Sequence, residues 1–193
     1  MNARPPSGDL APSRCPEVTK LISDLAEVRP DLETWPYRIY ATAAVLTGQV
    51  TDALRPIFNR FGVKGGDYEI LGHLRRCGEP YELSPTELSR VMRLGTGTMT
   101  RRLDRLEAAG FIERLPHGSD RRAIVVQLTP DGLALADKIL EELLASLSEM
   151  LAPVRSRTTE FEDLVASALA GLAQRPGGGE SDNAFSTQNP DLV

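Results

Sequence analysis

Histidine, cysteine and tryptophan are nearly missing from this chain: two, two and one in 193 residues. Two cysteines, Cys15 and Cys77, cannot build a disulfide framework. His73 and His117 have no cysteine or acid cluster beside them at metal-ligand spacing, so no metal is expected. GxSxG, HExxH, CxxC and the Walker loop are all absent. Gly95-x-Gly97-x-x-Thr100 imitates a dinucleotide loop but lacks its third glycine and follows a helix. These absences argue against an enzyme and predict no cofactor. Long apolar runs are missing too. The longest weakly polar stretch, 164–173, is far short of the ~18 residues that span a bilayer. The first residues carry no apolar leader segment. The expectation is a cytoplasmic protein with no membrane partner.

What is present is enough core for a folded domain, with 41% hydrophobic and 25% charged residues. The net charge of −5 hides an asymmetry. Residues 84–122 hold eight arginines against five carboxylates, while the rest of the chain is acidic. A basic island in an acidic protein suits a polyanion. A solvated arginine face fits charge alone equally well.

Periodicity divides the chain into tails at 1–16 and 175–193, N-terminal helices over 17–61, a central module over 62–130 and C-terminal helices over 131–174. A short helix over 17–28 is stopped by Pro30, and a long one over 37–61 contains Pro56. Asp67 is placed to cap a third. Ser84-Pro85-Thr86-Glu87 is a capping box with proline at the first helical position. A Gly95-Thr96-Gly97 turn then leads into a helix over 96–109. Met99, Leu103 and Leu106 line one face of it; Thr98, Arg101, Arg102 and Arg105 line the other. Strands over 111–115 and 123–128 flank a turn and make a hairpin with Arg121-Arg122 at its tip. Thr129-Pro130 opens a helix whose Leu133, Ala136, Leu140, Leu143, Leu147 and Met150 form a seam too long for one small domain to cover. Thr159 to Glu162 reads as a capping box for the last helix.

The fold class is therefore mainly α with a small β-hairpin wing: a winged helix-turn-helix with dimerisation helices at both ends. A helix fits the major groove, where arginine bonds guanine and threonine meets thymine methyls or phosphates. A thin hairpin can carry arginine into the minor groove. A winged helix used for protein contacts is the competing use of the same shape.

Residues 37–172 resemble the MarR family of bacterial transcriptional regulators. The resemblance is carried by Ser84-Pro85-Thr86-Glu87-Leu88-Ser89, by the run from Gly97 to Arg114, and by Asp120-Arg121-Arg122 through Gly132. It implies a homodimer that binds a palindromic double-stranded operator, one half-site per winged helix. Thr96, Thr98, Thr100 and Arg101 would face the major groove, with Arg105 and Arg121 in the DNA-binding set, and Arg122, held by Asp120, would enter the minor groove. The likeness is nearest the urate-responsive branch, which surrounds its ligand with a tryptophan, an acid and two arginines. Arg102 and Arg114 match those arginines, and Glu69 falls at the acid. Leu25 falls at the tryptophan, and Trp35 comes ten residues later. The expectation is a repressor released by a small anionic or phenolic effector at Glu69, Arg102 and Arg114. The alternatives are an Arg102–Glu69 bridge that ties elements together in a constitutive architectural or interaction module, and a redox-sensing repressor acting through Cys15 or Cys77.

Overall fold

The computed structural model describes residues 15–116 and 123–173. Helices dominate, with one three-stranded antiparallel sheet. The chain divides into two compact units at Ala53 and Leu54.

In the first unit, α1 (Pro16–Val28) lies against the early turns of α2 (Trp35–Arg60). Val18, Ile22 and Ala41 are buried there, with Cys15 and Val45 packed beside them. Proline at the first position starts α1. Cys15 and Pro16, expected in the 1–16 tail, are the cap and the first residue of a helix; residues 1–14 lie outside the described residues.

The second unit holds the last turns of α2 and everything after it. Its elements are α3 (Gly65–Arg76), β1 (Glu82–Leu83), α4 (Pro85–Met92), α5 (Thr96–Ala108), β2 (Ile112–Pro116), β3 (Ile124–Leu128) and α6 (Pro130–Met150). A 3-10 turn (Ala152–Arg157) then runs into α7 (Thr158–Ala173). The sheet order is β1-β3-β2, with Ile112 opposite Leu128 and Glu82 opposite Gln127. The expected hairpin strands are present, shifted by one residue. β1 was not expected: two residues carry no period.

One core joins α3, α4, α5, the sheet and α6. Ile70, Leu71, Leu74, Leu88, Met99, Leu103, Leu106, Ile112 and Val126 are all essentially inaccessible. A second cluster packs Ile57, Val63 and Tyr68 against Ile139 and Leu143. The seam predicted for α6 is largely on the packed side, with Ala136 and Leu143 buried and Leu133 against the core, but Ile139 takes the place of Leu140. Ile139 is fully buried, while Leu140 and Leu144 are exposed. A spacing of three or four residues tolerates either choice, and contact with α2 and α3 decides it.

Two glycines are fixed by close approach. A Cβ on Gly132, in the first turn of α6, would lie 1.8 Å from the Phe111 carbonyl oxygen. A Cβ on Gly66 would lie 2.3 Å from Arg102 Nη1. The first contact is with backbone and the second with the end of a side chain, so they differ in what can yield.

Two helix starts differ from expectation. α3 begins at Gly65, with Lys64 as its cap, and Asp67 sits buried in the first turn. Thr159 lies inside α7, because the 3-10 turn feeds directly into it. The Thr158 hydroxyl donates to the Arg155 carbonyl, and Glu160 pairs with Arg157.

Candidate nucleic-acid interface

α4, the turn and α5 form the helix-turn-helix. The capping box at its start is formed: the Glu87 amide donates to Ser84 Oγ at 3.2 Å, and the Ser84 amide donates to Glu87 Oε2 at 2.8 Å. Arg93 ends α4 in the left-handed region, at φ 52° and ψ 42°. Gly95 caps α5 without any side-chain bond. Leu88 from α4 and Met99, Leu103 and Leu106 from α5 anchor both helices in the core.

Pinning those three residues inward fixes which side of α5 faces solvent. Thr96 and Arg101 are exposed, and Thr98 is half-buried. Thr100 is exposed, but its hydroxyl donates to the Thr96 carbonyl at 2.9 Å. Arg101 makes no ion pair among the described residues, so its guanidinium is available to a ligand.

The other arginines of this segment do not share that face. Arg105, expected in the DNA-binding set, is exposed and pairs with an acid of α3. Its Nε and Nη2 donate to the two carboxylate oxygens of Asp67 at 3.0 and 2.8 Å. Asp67 is only 7% exposed, so this bidentate bond ties α5 to the first turn of α3. The same bond raises the Arg105 pKa further. Arg102 also turns inward, 12% exposed. Its Nη1 donates to the Gly66 carbonyl at 2.9 Å and lies 3.8 Å from Glu69 Oε2. Its Nε is buried with no hydrogen-bond partner. Arg114, expected beside Arg102 and Glu69, goes elsewhere. It binds Asp104 at 2.7 Å and Glu107 at 2.6 Å, joining β2 to the side of α5. Of the three residues expected at the ligand, Arg102 and Glu69 lie together and Arg114 braces β2 against α5. Asp104 and Glu107 hold Arg114 because they project from α5 at i and i+3 toward the strand that follows.

Asp120, Arg121, Arg122 and His117 lie outside the described residues. Asp67 and Gly66 are the contributors that sequence reasoning missed. Nothing local marks them, because their partners lie 38 and 36 residues away. His73, on α3, has its pKa lowered by burial and by the nearby Arg76 guanidinium. The Cys77 thiol is raised by desolvation, which lowers its thiolate fraction.

A model of the MarR family matches residues 71–124. The transcriptional regulator PecS of Dickeya dadantii is 33% identical over 159 residues, covering 82% of this chain and 93% of PecS. This chain belongs to the MarR family. It is a DNA-binding transcriptional regulator and not an enzyme. The fold agrees with solved MarR-family structures. AbsC from Streptomyces coelicolor superposes with a TM-score of 0.65 at 22% identity, covering 75% of this chain and 98% of AbsC. A mutant MarR from E. coli complexed with operator DNA superposes at 0.60 and 22% identity, covering 75% of this chain and 97% of that one. No helix among the described residues is long and apolar enough to cross a membrane.

Proposed function

We propose that this MarR-family chain is a cytoplasmic homodimeric repressor of a palindromic operator, released by a small anionic or phenolic ligand. The observation that carries the DNA half of this reading is the sorting of arginines on α5. Arg102 and Arg105 are bonded to α3, while Arg101 is exposed beside Thr96 and makes no ion pair among the described residues. Arg101 with Thr96, Thr98 and Thr100 then reads the major groove, and Arg122, with Asp120 and Arg121, serves the minor groove.

The dimer half rests on α7. None of its residues is buried, and Phe161, Leu164, Val165, Leu169 and Leu172 are exposed. Val154 and Phe161 open an apolar groove with Leu164, rimmed by Arg157 and Glu160. A helix with such a face needs a cover, and a second copy supplies an identical one. The effector half rests on Arg102, whose buried Nε has no partner. A ligand anion at Arg102 would compete with Glu69 for the guanidinium. The bond from Arg102 to the Gly66 carbonyl favours the second reading, a tie with no effector.

The test is binding to a duplex from the gene's own upstream region and to a random duplex, across a salt series. The expected result is a preference for the upstream duplex and a steep salt slope. Equal affinity for both duplexes rejects sequence-specific repression through that region. Melting against aromatic carboxylates and purines separates the effector from the tie. A stabilising compound that Arg102→Ala abolishes supports the effector, and no hit supports the tie.

A further inference from the structure

The arginines of the basic island divide by partner. Arg102, Arg105 and Arg114 are engaged internally. Arg90, Arg93 and Arg101 are exposed and make no ion pair among the described residues. Arg101 is on the outward face already assigned. Arg90 sits in the last turn of α4, where a cation answers the helix dipole.

Arg93, at the end of the same helix, answers that dipole too, but it carries a backbone cost that Arg90 does not. It is the C-cap of α4, at φ 52°. A Cβ crowds the backbone in that region, so glycine or asparagine is usual there. Gly62, Gly78 and Gly110 fill the other helix-end and turn positions of this kind. Tyr81 is the one further non-glycine case among the described residues, and its ring lies under Arg75, 5.4 Å from the guanidinium carbon. The Arg93 amide donates to the Ser89 and Arg90 carbonyls, but its side chain makes no ion pair among the described residues to offset this backbone. Only Leu94 separates it from Gly95, the cap of α5, so the charge stands at the start of the helix that presents Thr96 and Arg101.

We propose that Arg93 is a phosphate-binding residue, which grips the DNA backbone beside the bases that α5 reads. Its ligand is a phosphodiester. Such a contact fixes register and adds affinity to every sequence alike, without selecting bases. The strained backbone is tolerated because a side chain is needed where glycine would fold more easily.

The test uses the full chain, with Arg93→Gly and Arg93→Lys, on a random duplex and on the upstream duplex over a salt series. Arg93→Gly suits the positive φ, so its melting temperature should equal or exceed that of the unsubstituted protein. Its affinity should fall about three- to tenfold on both duplexes, and its salt slope should drop by about 0.9. Arg93→Lys should restore most of both. An unchanged slope in Arg93→Gly overturns the proposal. So does a loss confined to the upstream duplex, which would make Arg93 a base reader. A glycine variant that binds weakly only because it melts lower also overturns it. Binding by the unsubstituted protein tests the repressor reading separately, because the random duplex reports on Arg93 whichever operator the protein prefers.

Discussion

Helices α5 and α7 carry comparable apolar periodicity, yet the fold treats them differently. α5 buries Met99, Leu103 and Leu106 completely and adds two arginine tethers to α3. α7 buries nothing, although its apolar face is the richer one. Periodicity therefore reports that a face wants cover and says nothing about what covers it. α5 finds its cover within the chain, because short connections bring α3, α4 and the sheet around it. α7 comes last, after all those elements have satisfied one another. Its apolar face has no cover among the described residues, and that of α5 has one.

The sharpest break of this contrast is at the α6 start. Gly132→Ala drives a Cβ into the Phe111 carbonyl, a backbone atom that cannot swing aside. The expected loss is at least ~3 kcal/mol, as for other severe overpacking, seen as a large fall in melting temperature or as insoluble protein. Second is Asp67→Ala, which strands Arg105. A wholly buried pair would cost ~3–5 kcal/mol when broken, and the 40% exposure of Arg105 reduces this to ~2. Urea unfolding would measure it. If α5 needs the tether, DNA affinity falls with stability. If the apolar anchors suffice, Asp67→Asn will bind DNA as before.

Third comes the α7 side. Phe161→Glu with Leu164→Glu touches no buried residue, so far-UV signal and the dilute melting temperature should hold to within ~0.5 kcal/mol. On the proposed α7 contact, sedimentation should show a dimer for the unsubstituted chain and a monomer for this variant at the same concentration. A dimer that survives would move the dimer contact off α7. The smallest effect is a pH dependence on the α5 side. Burial and Arg76 hold the His73 pKa below its ordinary 6.5. The neutral form is thus the one the fold accepts. Its contribution is fully present above pH ~6.5 and is lost as pH falls through the lowered folded value. Melting between pH 7.5 and 5.5 should decline, and His73→Gln should flatten that decline.

How much was legible varies with sequence distance. The capping box at Ser84, the Thr129 cap and the glycine turn before α5 need only neighbours three or four residues apart, and all are where the sequence puts them. The hairpin is legible for the same reason, since β2 and β3 are adjacent in the chain. The candidate site was read less evenly. Thr96 and Arg101 on the outer face follow from Met99 and Leu103 on the inner one. The partners of Arg105 and Arg114 were not legible, because an arginine is long enough to reach either way and only the location of an acid decides. The acid for Arg105 is Asp67, a residue that sequence reasoning placed as a cap.

The sequence by itself determined the winged helix-turn-helix, its helix ends and the excess of arginine around it, because each depends on local hydrogen bonds and on a period of 3.6 or 2. The tertiary structure alone decided which arginines remain free. For Arg102 and Arg105 that choice depends on a carbonyl and a carboxylate brought within 3 Å from 36 and 38 residues away, and for Arg114 on acids 7 and 10 residues back. A guanidinium bonded to a carboxylate has part of its charge answered within the fold, and one with no ion pair has none of it answered there.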